Sequence, residues 1–215
     1  SNAVHPEVWG RQVEYAREAL ALLEEKGEFG EDPPLLRQLK ALILRGELRD
    51  AAHTLGVSAE HVVFADLPFY EEGRYRRFKS TQADIDAMTR LLQDHKPHQI
   101  YITGDSADPS SVAGICFRLL VAALQACAGE EFAGSCSVWL YRGKERPLEP
   151  HEIDMAIPMS PLQLERKANA ISRYGALSSL EKEAPETSRE NARLYDSLGL
   201  AEYEAIETFQ RWRRA

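Results

Sequence analysis

The sequence predicts an α/β protein with a mostly parallel sheet and helices on both of its faces. Two patterns carry that prediction. Short runs rich in β-branched and aromatic residues stand at 61–67, 99–103 and 136–141, and segments of helical apolar spacing alternate with them. The runs are apolar on both sides, as strands buried between two helical layers must be. Size supports the same class: 215 residues and 24.2 kDa with 44% hydrophobic content suffice for one ample core.

Residues 6–26 read as a helix, with Val8, Trp9, Val13, Ala16, Leu20 and Leu23 near helical spacing. Gly27 and Gly30 stop it, and Asp32-Pro33-Pro34 opens a second helix that ends at Leu55-Gly56, where Gly56 suits a left-handed cap. Residues 61–67 read as the first buried strand, followed by a loop at 68–73. A helix at 81–95 places Ile85, Met88, Leu91 and Leu92 on one face, and Lys96-Pro97 breaks it. Residues 99–103 form the next strand, 104–111 the loop at its carboxyl end, 112–128 an apolar helix and 136–141 a third strand. Residues 153–157 suit a fourth strand. Ser160-Pro161 starts a helix to about Tyr174, with serine as N-cap and proline in the first turn. The remainder, about 187–214, reads as amphipathic helix interrupted near Leu198-Gly199.

Charge and composition exclude several classes. A formal net charge of −8 argues against a nucleic-acid binder, which needs a basic footprint. The longest apolar run, 119–128, falls well short of a membrane span and contains Gln125. No signal peptide is read. The three cysteines, Cys116, Cys127 and Cys136, lack a CxxC spacing, so a reducing cytoplasm is the expected compartment. Ser1-Asn2-Ala3 reads as an expression remnant, which leaves one domain over 4–215.

In open α/β sheets ligands bind beyond the carboxyl ends of the strands. Two loops sit there, 67–73 and 104–111. The second carries Asp105, Asp108, Ser110 and Ser111 ahead of a helix N-terminus suited to an anion. The plainer alternative is that Asp108 and Ser110 or Ser111 cap that helix. The six histidines, among them His151, show no metal-ligand spacing. No G-x-S-x-G elbow, Walker loop or G-x-G-x-x-G is present. Arg74, Arg76, Arg77 and Lys79 read as a solvated loop, with contact to an anionic ligand as the alternative. Trp212-Arg213-Arg214 reads as a packed aromatic beside a solvated tail.

Several longer motifs run through the chain. They are Leu67-Pro68-Phe69-Tyr70-Glu71-Glu72-Gly73, Lys96-Pro97-His98-Gln99-Ile100-Tyr101, Gly104-Asp105 with Ala107-Asp108-Pro109, Trp139-Leu140-Tyr141-Arg142-Gly143, the stretch 151–161 and the stretch 195–205. In these motifs the chain resembles the PIG-L (LmbE-like) deacetylase family, most closely the PIG-L-type domain associated with bacterial glucosamine-6-phosphate deaminase-like proteins. The resemblance implies a Rossmann-like three-layer α/β sandwich and zinc-assisted removal of acetyl from an N-acetyl amino sugar.

It also implies ligands from an AHPDD-type motif after the first strand and from a later His-x-x-His. The first motif is absent, and the resemblance implies that this chain starts downstream of it and lacks the family's first strand or strands. His5-Pro6-Glu7 resembles that motif only superficially, because it precedes a helix. Ser110 and Ala113 stand where the His-x-x-His belongs, Leu44 where a substrate-contacting arginine belongs, and Tyr174-Gly175-Ala176-Leu177 at a later His-x-x-Gln-like segment.

The expectation is a degenerate deacetylase-like domain of amino-sugar metabolism without the usual zinc, acting in ligand binding, regulation or assembly. No bound cofactor is expected. Asp105, Asp108, Ser110, Arg142 and His151 are the candidate substrate-binding residues. The expected partners are a sugar phosphate, a deaminase domain and a second copy of the chain, with no nucleic acid and no membrane. The alternatives are an active metal-dependent hydrolase of N-acetylglucosamine derivatives and part of a glucosamine-6-phosphate deaminase.

Overall fold

A computed structural model describes residues 6–27, 30–72, 79–104, 111–143, 146–175, 183–200 and 202–213. Helix α1, Pro6–Lys26, ends as expected at Gly27, whose φ is +66°. Helix α2, Pro34–Thr54, begins on the proline pair, and its end is a Schellman motif. Gly56, at φ +89°, donates its N–H to His53 O, and Val57 N–H donates to Ala52 O. Helix α2 packs on α1 and on a later helix, α7, Pro161–Arg173. Glu47 of α2 accepts the Gly175 N–H just beyond α7.

The first expected strand does not form. Ala59–His61 is a 3-10 turn, and residues 62–67 have no ladder partner among the described residues. Side chains of α2 hold the segment instead. The Arg45 and Arg49 guanidinium groups each lie 5.0 Å from the Phe64 ring centroid, and Arg45 pairs with Asp66. Asp66 itself is left-handed at φ +46°, a turn that interrupts an extended run.

A short helix α3, Pro68–Glu72, leads to α4, Gln82–His95. Thr81 caps α4 in a box with Asp84, and Lys96 ends it at φ +42°. Strand β1 is Gln99–Thr103, and α5 is Val112–Ala126. A short helix α6, Glu131–Ser135, precedes strand β2, Ser137–Tyr141. Strand β3, Met155–Met159, starts two residues later than the sequence suggested. Ser160 and Gln163 form the capping box of α7, as the serine-proline start implied. Helix α8, Glu183–Ser197, follows.

The last expected helix is corrected in its second half. Ala205–Arg211 is a strand, β4, and it lies inside the sheet. The order is β1-β2-β4-β3, with β1 parallel to β2 and β4 antiparallel to both of its neighbours. The sheet is therefore mixed rather than mostly parallel, because the strand hidden in the helical reading inserts in the reverse direction. Pro158 sits in edge strand β3, where a missing N–H is tolerated.

One face of the sheet, with Ile100, Ile102, Val138 and Leu140, packs on Leu92 of α4 and Leu120 and Leu124 of α5. Helices α7 and α8 pack over β3 and β4. Three layers result, as expected.

Candidate functional site

Glycine shapes the end of β1. A Cβ on Gly104 would lie 2.8 Å from the Leu140 Cβ, so only glycine fits against β2 there, and its N–H donates to Tyr141 O. The expected ligand loop starts at this point. Asp105, Asp108 and Ser110 lie outside the described residues. At the far end, Ser111 is the N-cap of α5 and accepts the Gly114 N–H at 3.1 Å, in line with the capping alternative. Arg74, Arg76 and Arg77 also lie outside the described residues, whereas Lys79 is exposed.

A cleft of about 510 Å³ opens beside the carboxyl ends of β1 and β2. Strand register and alternation place Tyr101, Tyr141, Glu207 and Phe209 on one sheet face, and all four line the cleft. Tyr101 and Tyr141 are 45% and 44% exposed, so their rings are presented to whatever enters. Phe209 meets Tyr101 edge to face, with centroids 5.2 Å apart.

The opposite wall is polar. Lys167 of α7 donates to Ser188 of α8 at 2.9 Å and pairs with Glu207 of β4. Ser188 is buried, and its hydroxyl lies 2.9 Å from Glu207 Oε1 and 3.2 Å from Ala184 O. The Ser188 hydroxyl thus sits between the Lys167 amine and the Glu207 carboxylate, which are also paired with each other. The trio binds the three elements together and shows hydrogen-bonding edges to the cleft.

Arg142 of the candidate set lines the same cleft, just past β2. Glu152 grips its guanidinium with two bonds of 3.1 Å, and Gln210 accepts a third at 3.2 Å. Its Nε is buried without an acceptor. The Glu149 N–H, the largest cause, holds the Glu152 carboxyl below its ordinary range; burial pushes it up, and the Arg142 guanidinium adds to the lowering. His151 is exposed on the 3-10 turn Pro150–Glu152, next to Glu152 in sequence but not among the lining residues. Both cations of the cleft are thus neutralised by fixed carboxylates.

Sequence reasoning missed Lys167, Ser188, Glu207 and Phe209. Three elements bring them together, and the last two sit on the strand that had been read as helix. The β-branched and aromatic content of Ile206, Thr208 and Phe209 was the available signal.

Among the described residues no three His, Cys, Asp or Glu side chains cluster to hold a metal ion. Ala113, in the first turn of α5, offers a methyl, which cannot ligate a metal, where the resemblance places a histidine. Burial pushes the Cys116 and Cys127 thiols up, which leaves neither as a ready thiolate. Among the described residues no helix is long and apolar enough to cross a membrane.

No protein-family model matches the chain. A curated protein of Bacteroides thetaiotaomicron, named as a putative glucosamine-6-phosphate deaminase-like protein, is 36% identical over 200 residues. That match covers 87% of this chain but only 30% of the relative. Among solved structures, GalB, the 4-carboxy-2-hydroxymuconate hydratase of Pseudomonas putida KT2440, superposes with a TM-score of 0.57 at 16% identity. It covers 80% of this chain and 72% of that one. A deacetylase of teicoplanin biosynthesis gives a TM-score of 0.49 at 18% identity, over 86% of this chain and 77% of its own. The fold is the LmbE-like α/β fold that the resemblance implied. Its presence in a hydratase leaves the reaction to the site, since one fold hosts many chemistries.

Proposed function

We propose that the chain is a PIG-L-type domain that binds an amino sugar in the Tyr101–Tyr141 cleft without catalysing zinc-dependent deacetylation. The observation that carries this reading is the make-up of the cleft. Aromatic rings on one side can cover the C–H face of a sugar, and fixed polar groups on the other can meet its hydroxyls. Arg142 and Lys167 are already paired, so the neutral part of the ligand is what the cleft recognises. The curated relative's name supports amino-sugar metabolism as the setting.

Titration calorimetry with N-acetylglucosamine, glucosamine and glucosamine-6-phosphate tests the reading. Saturable heat that Tyr141→Ala abolishes is the expected result. Ligand at about a hundredfold over Kd should also stabilise the fold by about 2.7 kcal/mol. Acetate release from N-acetylglucosamine in the presence of zinc would overturn it in favour of an active hydrolase.

A second reading, assembly with another copy of the chain, rests on the α1–α2 pair. Trp9 is 57% exposed and Leu20 60%, and Val13, Leu23, Leu42 and Ile43 are exposed beside them. Trp9, Val13, Leu20 and Leu23 form one stripe at helical spacing. An apolar surface of this kind on two helices suits the roughly 800 Å² per partner of a standard interface. Sedimentation should show a dimer that Leu20→Glu with Leu23→Glu dissociates, and a concentration-independent monomer would refute it.

A further inference from the structure

A second cleft, about 480 Å³, lies where β2 begins and β4 ends. Trp139, Ser137, Arg211, Trp212, Arg213 and Asp154 line it. Its donors outnumber its acceptors. The Arg211 guanidinium reaches only the Ser137 hydroxyl, at 3.4 Å, and no carboxylate among the described residues lies within ion-pair distance of it. The Trp139 indole N–H is buried without an acceptor.

Asp154 is the single acid on the wall. One of its oxygens already accepts the Arg211 backbone N–H at 2.8 Å, and the other lies 3.5 Å from Arg213. Two guanidinium groups therefore face one carboxylate, and the local balance is positive in a chain whose net charge is −8.

Strand register gives this arrangement its permanence. Trp139 and Arg211 are directly paired across β2 and β4, and Ser137 is two residues back on the same face of β2. Trp212 is anchored in the core, edge to face with Phe117 at 6.0 Å. The packed aromatic next to an arginine that the sequence suggested is thus one wall of a cleft.

We infer that this cleft binds a tetrahedral oxyanion, either free phosphate or the phosphate group of a small metabolite. Guanidinium forks match such an anion in charge and shape. The indole rings give an organic remainder something to pack on. The site shares no lining residue with the amino-sugar cleft, so each stands or falls without the other.

The chain's own fluorescence reports on it, because two of its three tryptophans line the cleft. In a Trp9→Phe background, inorganic phosphate is titrated at constant ionic strength, and a hexose phosphate is titrated in parallel. A saturable change in emission is expected, with Arg211→Gln weakening binding about tenfold or more and Arg213→Gln a few-fold. Tighter binding of the hexose phosphate assigns the cleft to esters, and equal binding assigns it to the free anion. Both outcomes support the inference. No saturable change up to tens of millimolar overturns it, as does an Arg211→Gln protein that keeps its circular dichroism and titrates like the parent.

Discussion

Replacing Asp84 by asparagine is expected to cost about 3 kcal/mol of stability at neutral pH. Asp84 is 0% exposed and accepts three hydrogen bonds: Phe69 N–H at 2.8 Å, Thr81 N–H at 2.7 Å and Thr81 Oγ at 2.9 Å. It joins α3 to the start of α4 while closing the capping box. Asparagine can keep its oxygen toward the Thr81 N–H and hydroxyl, but then turns an NH₂ toward the Phe69 N–H, whose bond is lost. A bond to a charged acceptor contributes about 1.5–3 kcal/mol, and this one sits at the upper end because it is buried.

Urea unfolding at pH 7 measures the difference. A loss below about 1 kcal/mol would refute the reasoning, since it would mean that water or local shifts replace the carboxylate easily. Acid supplies an independent check. Burial alone would push the Asp84 carboxyl up, but the Phe69 and Thr81 bonds together outweigh it and hold it below its ordinary 3.8. A depressed carboxylate contributes stability that is fully present above that value and fades as pH falls through the folded pKa. The gap between parent and Asp84→Asn should therefore be constant above about pH 5 and close below 3.8. A gap that stays open in acid would show that the charge was not its source.

Other consequences follow from single contacts. Gly104→Ala places a methyl 2.8 Å from Leu140 Cβ and should cost about 1–3 kcal/mol in thermal unfolding, and an unchanged melting temperature would contradict the close approach. Ile206→Ala, at a fully buried position of β4, should cost about 2–4 kcal/mol, well above the value for an exposed site such as Ile157. Glu152→Gln removes the charge that neutralises Arg142, so calorimetry should show a phosphorylated amino sugar gaining affinity over its neutral counterpart. Equal changes for both ligands would mean that Arg142 does not face them.

Where local chemistry sets an element, the sequence was readable. Gly56 ended α2, Thr81 opened α4, and Ser160-Pro161 opened α7, each through bonds within a few residues. Where neighbours decide, it was not. Tyr203, Ile206 and Phe209 stand three residues apart, which imitates a helix, and only the presence of β2 and β3 on either side makes a strand of Ala205–Arg211. The opposite error arose at 62–67, a β-like run with no ladder partner among the described residues and two arginines of α2 over its phenylalanine. The site divides in the same way. Arg142 was a candidate from its motif, yet its cleft is completed by Lys167, Ser188 and Glu207, which only the tertiary fold assembles.

The position of β4 also sets a timetable. Strands β1 and β2 can pair as soon as both have been synthesised, but among the described residues β3 has no neighbour in the sheet other than β4. Until residues 205–211 leave the ribosome, β3 lacks its ladder partner among the described residues, and α8 lacks the strand it packs against. One segment, made after both, therefore joins the β1–β2 pair to β3. A stalled or clipped chain lacking that segment would expose two sheet edges where the finished molecule has a continuous ladder.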